Sequence, residues 1–236
     1  MAKGPENLAR LSVGTSGWSY PSWRPGFYPA GLDPSEFLRF YAQRFSTVEL
    51  NTTGYRLPSE DQFKRWAEQV PDGFEFAPKL PGSGWERRRQ SRQRPAGRPG
   101  PPPAAPWRLR SLDVFESRVR ALGDRLGPVR ISLKSPRDEG AIELLLGSLD
   151  PALRLAFDLG DPSWDGIEPR LAEAGAVRVD DLETPARFRY LRRRERPDDV
   201  FAARVAAVGE TAYVYFRHGD EPEAPAYAEE LLSRLR

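Results

Sequence analysis

Eight short apolar runs recur along this chain, separated by amphipathic stretches of helical period or by turn-rich loops, and that alternation restricts the fold more than any other feature. The runs fall at residues 11–16, 47–51, 74–79, 128–134, 153–158, 176–180, 188–191 and 212–216, which predicts eight strands. Between them the spacing predicts helices from Pro34 onward, from Ser59 to about residue 70, and over 112–126, 139–149, 167–174, 200–208 and 224–235. Two helix starts carry capping signals: Asp33-Pro34-Ser-Glu36 as N-cap, first position and capping-box partner, and Ser59 with Gln62. Strands alternating with helices imply a parallel sheet, and eight units suffice to close a barrel. The expected fold is therefore α/β: one (β/α)8 TIM barrel over residues 1–236, with an irregular Arg/Pro-rich insertion after the third strand. Periodicity alone leaves an open doubly wound sheet as the alternative. The sequence holds no Gly-x-Gly-x-x-Gly or Walker motif, which weakens the dinucleotide-binding form of that alternative.

Several function classes are excluded by what the chain lacks. It has no cysteine, hence no disulfide, no thiol nucleophile and no Cys-ligated zinc, in keeping with a reducing compartment. The first residues lack the apolar core of a signal peptide, and no run approaches the ~18 apolar residues of a membrane span. A cytoplasmic protein without a membrane partner is expected. Lys and Arg total 36 against 34 Asp and Glu, so the formal charge is only +2. Lysine occurs only at positions 3, 64, 79 and 134, and the arginine excess reads more simply as genome composition than as a nucleic-acid surface.

Particular segments bring a resemblance. Val13-Gly-Thr-Ser-Gly-Trp-Ser-Tyr20, Phe27-Tyr-Pro29, Thr47-Val-Glu-Leu-Asn51 and Tyr55-Arg-Leu-Pro58 resemble the opening motifs of the DUF72 (YecE-like) family, and Asp161-Pro-Ser-Trp164 and Tyr213-Val-Tyr-Phe216 its later ones. The resemblance runs in matching order over nearly the whole chain and implies a TIM barrel of undefined activity. Two departures stand out. Family members usually carry Thr-His shortly after the third strand, where this chain has the Arg-, Pro- and Gly-dense segment 82–110; they often have Arg-His where it has Gly160-Asp161. A loop of that length without helix or strand signal is unusual in a compact domain. It reads as a disordered basic insertion able to touch polyanions, as a lid, or as the product of a compensated frameshift in GC-rich DNA.

In a barrel the strand ends share one mouth, so the polar residues that end the strands become candidates together. Glu49 is the expected general acid or base, a carboxylate near Lys79 at the end of an apolar strand. Lys79 and His218 complete the expected catalytic group; His218, the single histidine, would shuttle protons with Asp220 as its orienting partner. Substrate contacts are expected from Trp18, Tyr20, Asn51, Tyr55, Lys134, Asp158, Asp180, Arg189 and Arg217, the cations as anion holders and Trp18 and Tyr20 as stacking rings; Trp23 and Trp164 are expected to pack. The plainer alternatives are a structural Glu–Lys or Glu–Arg pair for Glu49, a salt bridge inside the mouth for Lys79 and Lys134, and a lone surface histidine in a loop for His218. With one histidine no His-based metal triad exists, so no cofactor is expected; a divalent metal on Glu49, Asp158 and Asp180 has no support from spacing. A Schiff base on a mouth lysine is conceivable by fold analogy alone. No Gly-x-Ser-x-Gly elbow is present, and no histidine lies near Ser16 in sequence to support a serine-hydrolase triad. The expected function is that of a hydrolase or lyase on a small polar, anionic or phosphorylated molecule. The alternatives are a nucleotide or nucleic-acid binder using the 86–110 basic segment, and a catalytically degenerate family member. Glu49→Gln is expected to leave the fold intact and abolish turnover.

Overall fold

A computed structural model describes residues 11–82, 107–219 and 222–236. Among these residues eight strands lie where apolar runs occur in the sequence: β1 (Leu11–Thr15), β2 (Thr47–Leu50), β3 (Glu75–Pro78), β4 (Val129–Leu133), β5 (Leu155–Leu159), β6 (Val177–Arg178), β7 (Phe188–Arg193) and β8 (Thr211–Phe216). They pair in parallel in three sheets, ordered β1-β8-β7, β2-β3 and β4-β5-β6. Backbone bonds also run between sheets. Single bridges join Ser16 to Glu49, Phe76 to Leu126 and Lys79 to Arg130, and the Asp180 N–H donates to the Tyr190 carbonyl at 2.9 Å.

The helices are α1 (Phe37–Ala42), α2 (Glu60–Ala67), α3 (Trp107–Val119), α4 (Glu139–Ser148), α5 (Glu168–Glu173), α6 (Asp199–Ala206) and α7 (Glu223–Arg234). Ser59 caps α2 by accepting from the Gln62 N–H at 3.3 Å. Asp138 and Asp198 cap α4 and α6 in the same way. Ahead of α1 the pattern differs from the expected capping box. Asp33 accepts from the Ser35 N–H within a short 3-10 turn, Pro34–Glu36, and Glu36 faces Arg39 instead. The third helix begins before Leu112 and passes into a 3-10 segment, Arg120–Arg125, where Gly123 has φ 56°.

Among the described residues two apolar clusters account for the packing. The larger lies between strands and helices and includes the fully buried Trp23 and Trp164; in it Tyr28 stacks on Phe37 at 4.0 Å. The smaller holds Ala77 of β3, Ala156 of β5, Val177 of β6, Phe188 and Tyr190 of β7, and Tyr213 and Tyr215 of β8. All three sheets contribute to it, so one face of each looks onto a shared interior. Along β4, β5 and β7 that face alternates with the outer one at period two, which carries Arg130, Asp158 and Arg192 to the same side.

Most of the 82–110 insertion, and Asp220 expected beside His218, lie outside the described residues. Among the described residues no helix is long and apolar enough to cross a membrane.

Candidate functional site

Glu49 sits in β2, whose four residues are all buried, and it is 0% exposed itself. An isolated carboxylate there would be prohibitively costly, and the fold surrounds it with donors. Ser16 Oγ donates to Oε2 at 2.8 Å, Tyr190 Oη to Oε1 at 2.8 Å, and Arg192 Nη2 to Oε2 at 2.9 Å. Arg192 Nε lies 2.8 Å and Arg130 Nε 3.2 Å from Oε1. Burial pushes the carboxyl upward, but the two guanidiniums and these hydrogen bonds outweigh it and hold Glu49 at about 2. Both oxygens are engaged, and the group is a fixed negative charge. That environment does not suit the proton-exchanging role expected of Glu49, and its partners are arginines, with Lys79 outside ion-pair distance among the described residues.

The arginines extend the network. Arg130 Nη1 reaches Asp158 at 2.7 Å, and Arg130 Nη2 donates to Asn51 Oδ1 at 2.7 Å. Arg192 Nη1 lies 3.2 Å and Lys134 Nζ 2.8 Å from Asp158. Burial opposes ionisation of Asp158, but the Lys134 hydrogen bond and the Arg130 charge keep its carboxyl below the usual range. Side chains from β2, β4, β5 and β7 thus form one ionic lattice. Tyr190 is buried next to the Glu49 charge; both effects raise its phenol and keep it a donor.

Above the lattice sit groups less fully paired. Asp180 follows the short β6 with φ 67°, the one positive φ at a non-glycine among the described residues. One carboxylate oxygen accepts from the Arg192 N–H at 2.6 Å. The residue is open to solvent yet ringed by protein, and that enclosure, with the Asp158 charge added, lifts its carboxyl to about 6. Lys79 is half-buried, its Nζ 5.5 Å from the centre of the Tyr55 ring. Burial and then the Arg130 charge lower its pKa. Arg217 is lowered by burial and by Arg192 and Arg194. Among the described residues neither Lys79 nor Arg217 has a carboxylate within ion-pair distance, so cationic charge is in surplus here.

The expected residues divide accordingly. Glu49, Asn51, Lys134 and Asp158 share the lattice, and Lys79, Asp180 and Arg217 feel its charges. His218 Nε2 lies 3.0 Å from the Ser16 carbonyl oxygen. Its ring meets Tyr20 at 4.4 Å and Trp23 at 5.1 Å, so the imidazole is wedged among aromatics on the β1 side. Trp18 packs edge-on against Trp66 at 5.1 Å; Tyr55 is 84% exposed. Arg189 is a correction. It is the second residue of β7, near the strand's start, where Nε faces Glu210 at 3.7 Å and the guanidinium reaches the Thr184 carbonyl. The strand continues to Arg193, and Arg192 occupies the position assigned to Arg189. Collecting only the last polar residue of each apolar run also passed over Arg130, which lies inside β4. An arginine alternating with Val129, Ile131 and Leu133 was the available signal. Among the described residues no three His, Cys, Asp or Glu side chains are grouped to hold a metal.

Comparisons with known proteins agree on one family. The model of "Protein of unknown function DUF72" matches residues 12–236. The UPF0759 protein YecE of Escherichia coli (strain K12) is 39% identical over 73 residues, 31% of this chain, and the match spans 24% of that protein's length. The fold is similar to the crystal structure of a DUF72 family protein from Thermotoga maritima, with TM-score 0.74, 23% identity, and 95% of this chain and 98% of that one covered. A DUF72 family protein from Enterococcus faecalis V583 aligns with TM-score 0.68, 15% identity and 95% coverage of both chains. The chain described here belongs to the DUF72 family.

Proposed function

We propose that this protein is an acid–base enzyme, of hydrolase or lyase type, taking a small anionic or phosphorylated substrate at the mouth of a closed (β/α)8 barrel. Closure is supported by the backbone links between the three sheets and by the interior cluster drawn from all of them. The observation that carries the functional reading is the surplus of cationic side chains at the strand ends: Arg130 and Arg192 are consumed by Glu49 and Asp158, while Lys79 and Arg217, which have no carboxylate within ion-pair distance among the described residues, are left for a ligand. A dianionic group completes that charge balance with both cations. Asp180 is the proton-transfer group in this reading. Among the described carboxylates at the strand ends it alone is lifted toward neutral pH, it is open to solvent, and the Arg192 N–H orients it. A non-glycine residue held at positive φ is the kind of local cost that persists where a side chain must point one way.

The test is a turnover and binding screen of short phosphorylated and carboxylated compounds. Arg217→Ala with Lys79→Ala should abolish anion binding, and Asp180→Asn should keep binding but lose turnover. Anions that fail to bind the wild-type protein would sink the proposal.

A further inference from the structure

Beside the lattice lies a cleft of about 500 Å³, a volume typical of small-molecule sites. Its walls come from the loop after β1 (residues 17–20), the start of α1, the loop after β2 and one face of α2. Glu49 and Asn51 belong both to its lining and to the ionic lattice, so the cleft adjoins the mouth. Its chemistry is different. Among the described residues Glu49 is the sole charged one in the lining, and its oxygens are already taken.

Among the described residues three carboxamides line the cleft, each fixed at one end. Asn51 Oδ1 accepts from Arg130 at 2.7 Å, Gln62 Oε1 accepts from Arg65 Nη2 at 2.9 Å, and Gln69 Nε2 donates to the Arg65 carbonyl at 2.9 Å. What remains is an Asn51 donor, a Gln62 donor and a Gln69 acceptor, held without large rotamer cost, with the hydroxyls of Ser19 and Thr52 beside them. The apolar part is a corner made of Trp18 and Trp66, whose planes meet at 90°. Trp66 is also stacked on Phe76 at 25°. These indoles do not form the parallel pair of walls that would sandwich a nucleobase.

We infer that this cleft binds the uncharged, polyhydroxylated body of the substrate, so that the molecule recognised is a sugar-like polyol carrying an anionic group. Neutral donors and acceptors in mixed order suit vicinal hydroxyls, each of which both gives and takes a hydrogen bond, and an indole corner suits the C–H faces of a pyranose or furanose ring. The inference rests on the anion site proposed for the mouth, which would hold the charged end.

The experiment titrates the full chain with inorganic phosphate, with free ribose and glucose, and with ribose 5-phosphate and glucose 6-phosphate, following heat and tryptophan fluorescence. A sugar phosphate should bind at least about tenfold more tightly than phosphate, as two hydrogen bonds of ordinary strength would give, and should shift tryptophan emission. The double variant Gln62→Leu/Gln69→Leu, on the outer part of α2 and just beyond it, should lose that gain while keeping its phosphate affinity and unfolding temperature. Sugar phosphates no tighter than phosphate, or a gain that survives the double variant, would overturn the cleft assignment and leave the anion site standing. Sugar-dependent fluorescence without any phosphate binding would instead overturn the anion site and keep the cleft. No binding of any probe removes both.

Discussion

Arg192 grips Glu49 with two nitrogens, Nε at 2.8 Å from Oε1 and Nη2 at 2.9 Å from Oε2, across a distance of more than a hundred residues in sequence. The pair is buried, with the Arg192 side chain 6% exposed and Glu49 0%. Such a pair is no guarantee of stability relative to an apolar core, but breaking it leaves a stranded charge. Here the loss of Glu49 would leave two buried guanidiniums, Arg130 and Arg192, with Asp158 as their shared carboxylate.

Glu49→Gln should therefore damage the fold, contrary to what the sequence suggested. The amide is nearly isosteric but uncharged, and its NH2 end would face a guanidinium. A loss of about 3–5 kcal/mol is expected for removing one partner of a buried pair, read as a lower urea midpoint with unchanged m-value. An unshifted midpoint would return Glu49 to consideration as a group free to do chemistry.

The same carboxylate should set part of the acid limit. Its ordinary value of 4.5 falls to about 2 in the folded state, so the unfolded chain binds the proton more tightly. The stabilisation is complete above about 4.5 and is lost as pH falls toward 2. Wild-type stability should drop across that window by on the order of 2–3 kcal/mol from this group, and the Glu49→Gln variant should show a flatter slope there in pH-dependent denaturation.

Asp180 should behave in the opposite sense. Folding raises its carboxyl from 3.8 to about 6, so protonation favours the native state and its contribution is lost as pH rises through 6. Because the residue is open to solvent, Asp180→Asn should gain less than about 1 kcal/mol at pH 7. Asparagine tolerates the positive φ, which isolates the charge from the backbone. A carboxyl carbon titration by NMR with a midpoint near 4 would remove Asp180 from the proton-transfer role.

Two glycines should respond very differently to a methyl group. A Cβ on Gly14 would lie 1.9 Å from the Thr47 carbonyl oxygen and 2.8 Å from Tyr41 Oη, where β1 meets β2. Backbone cannot yield there, and Gly14→Ala should fail to give a cooperatively folded protein. A Cβ on Gly54 would meet Lys79 Cδ at 2.7 Å, the stem of a flexible side chain. Gly54→Ala should keep the fold, within about 1 kcal/mol for a rotamer shift, but displace the amine. Weaker anion binding at an unchanged melting temperature is the expected signature.

Apolar periodicity and capping residues are local properties of the chain, and so the eight strands, nearly every helix and the Ser59 cap could be read directly from the text. Motifs spread along the chain were enough to identify the family, since their order survives without coordinates. Charge pairing is different in kind. Whether Glu49 meets Lys79 or Arg192 depends on how far β7 extends and which way each strand faces, and neither the extension of β7 by Arg192 and Arg193 nor the inward aim of Arg130 leaves a local trace beyond an arginine among apolar neighbours. Composition and pattern thus offered a set of polar residues near strand ends that includes Glu49, Asn51, Lys134 and Asp158 of the lattice but lacks Arg130 and Arg192. Only the packed structure decided which of them neutralise one another, because that choice is made by distances of a few ångströms between segments that never meet in sequence.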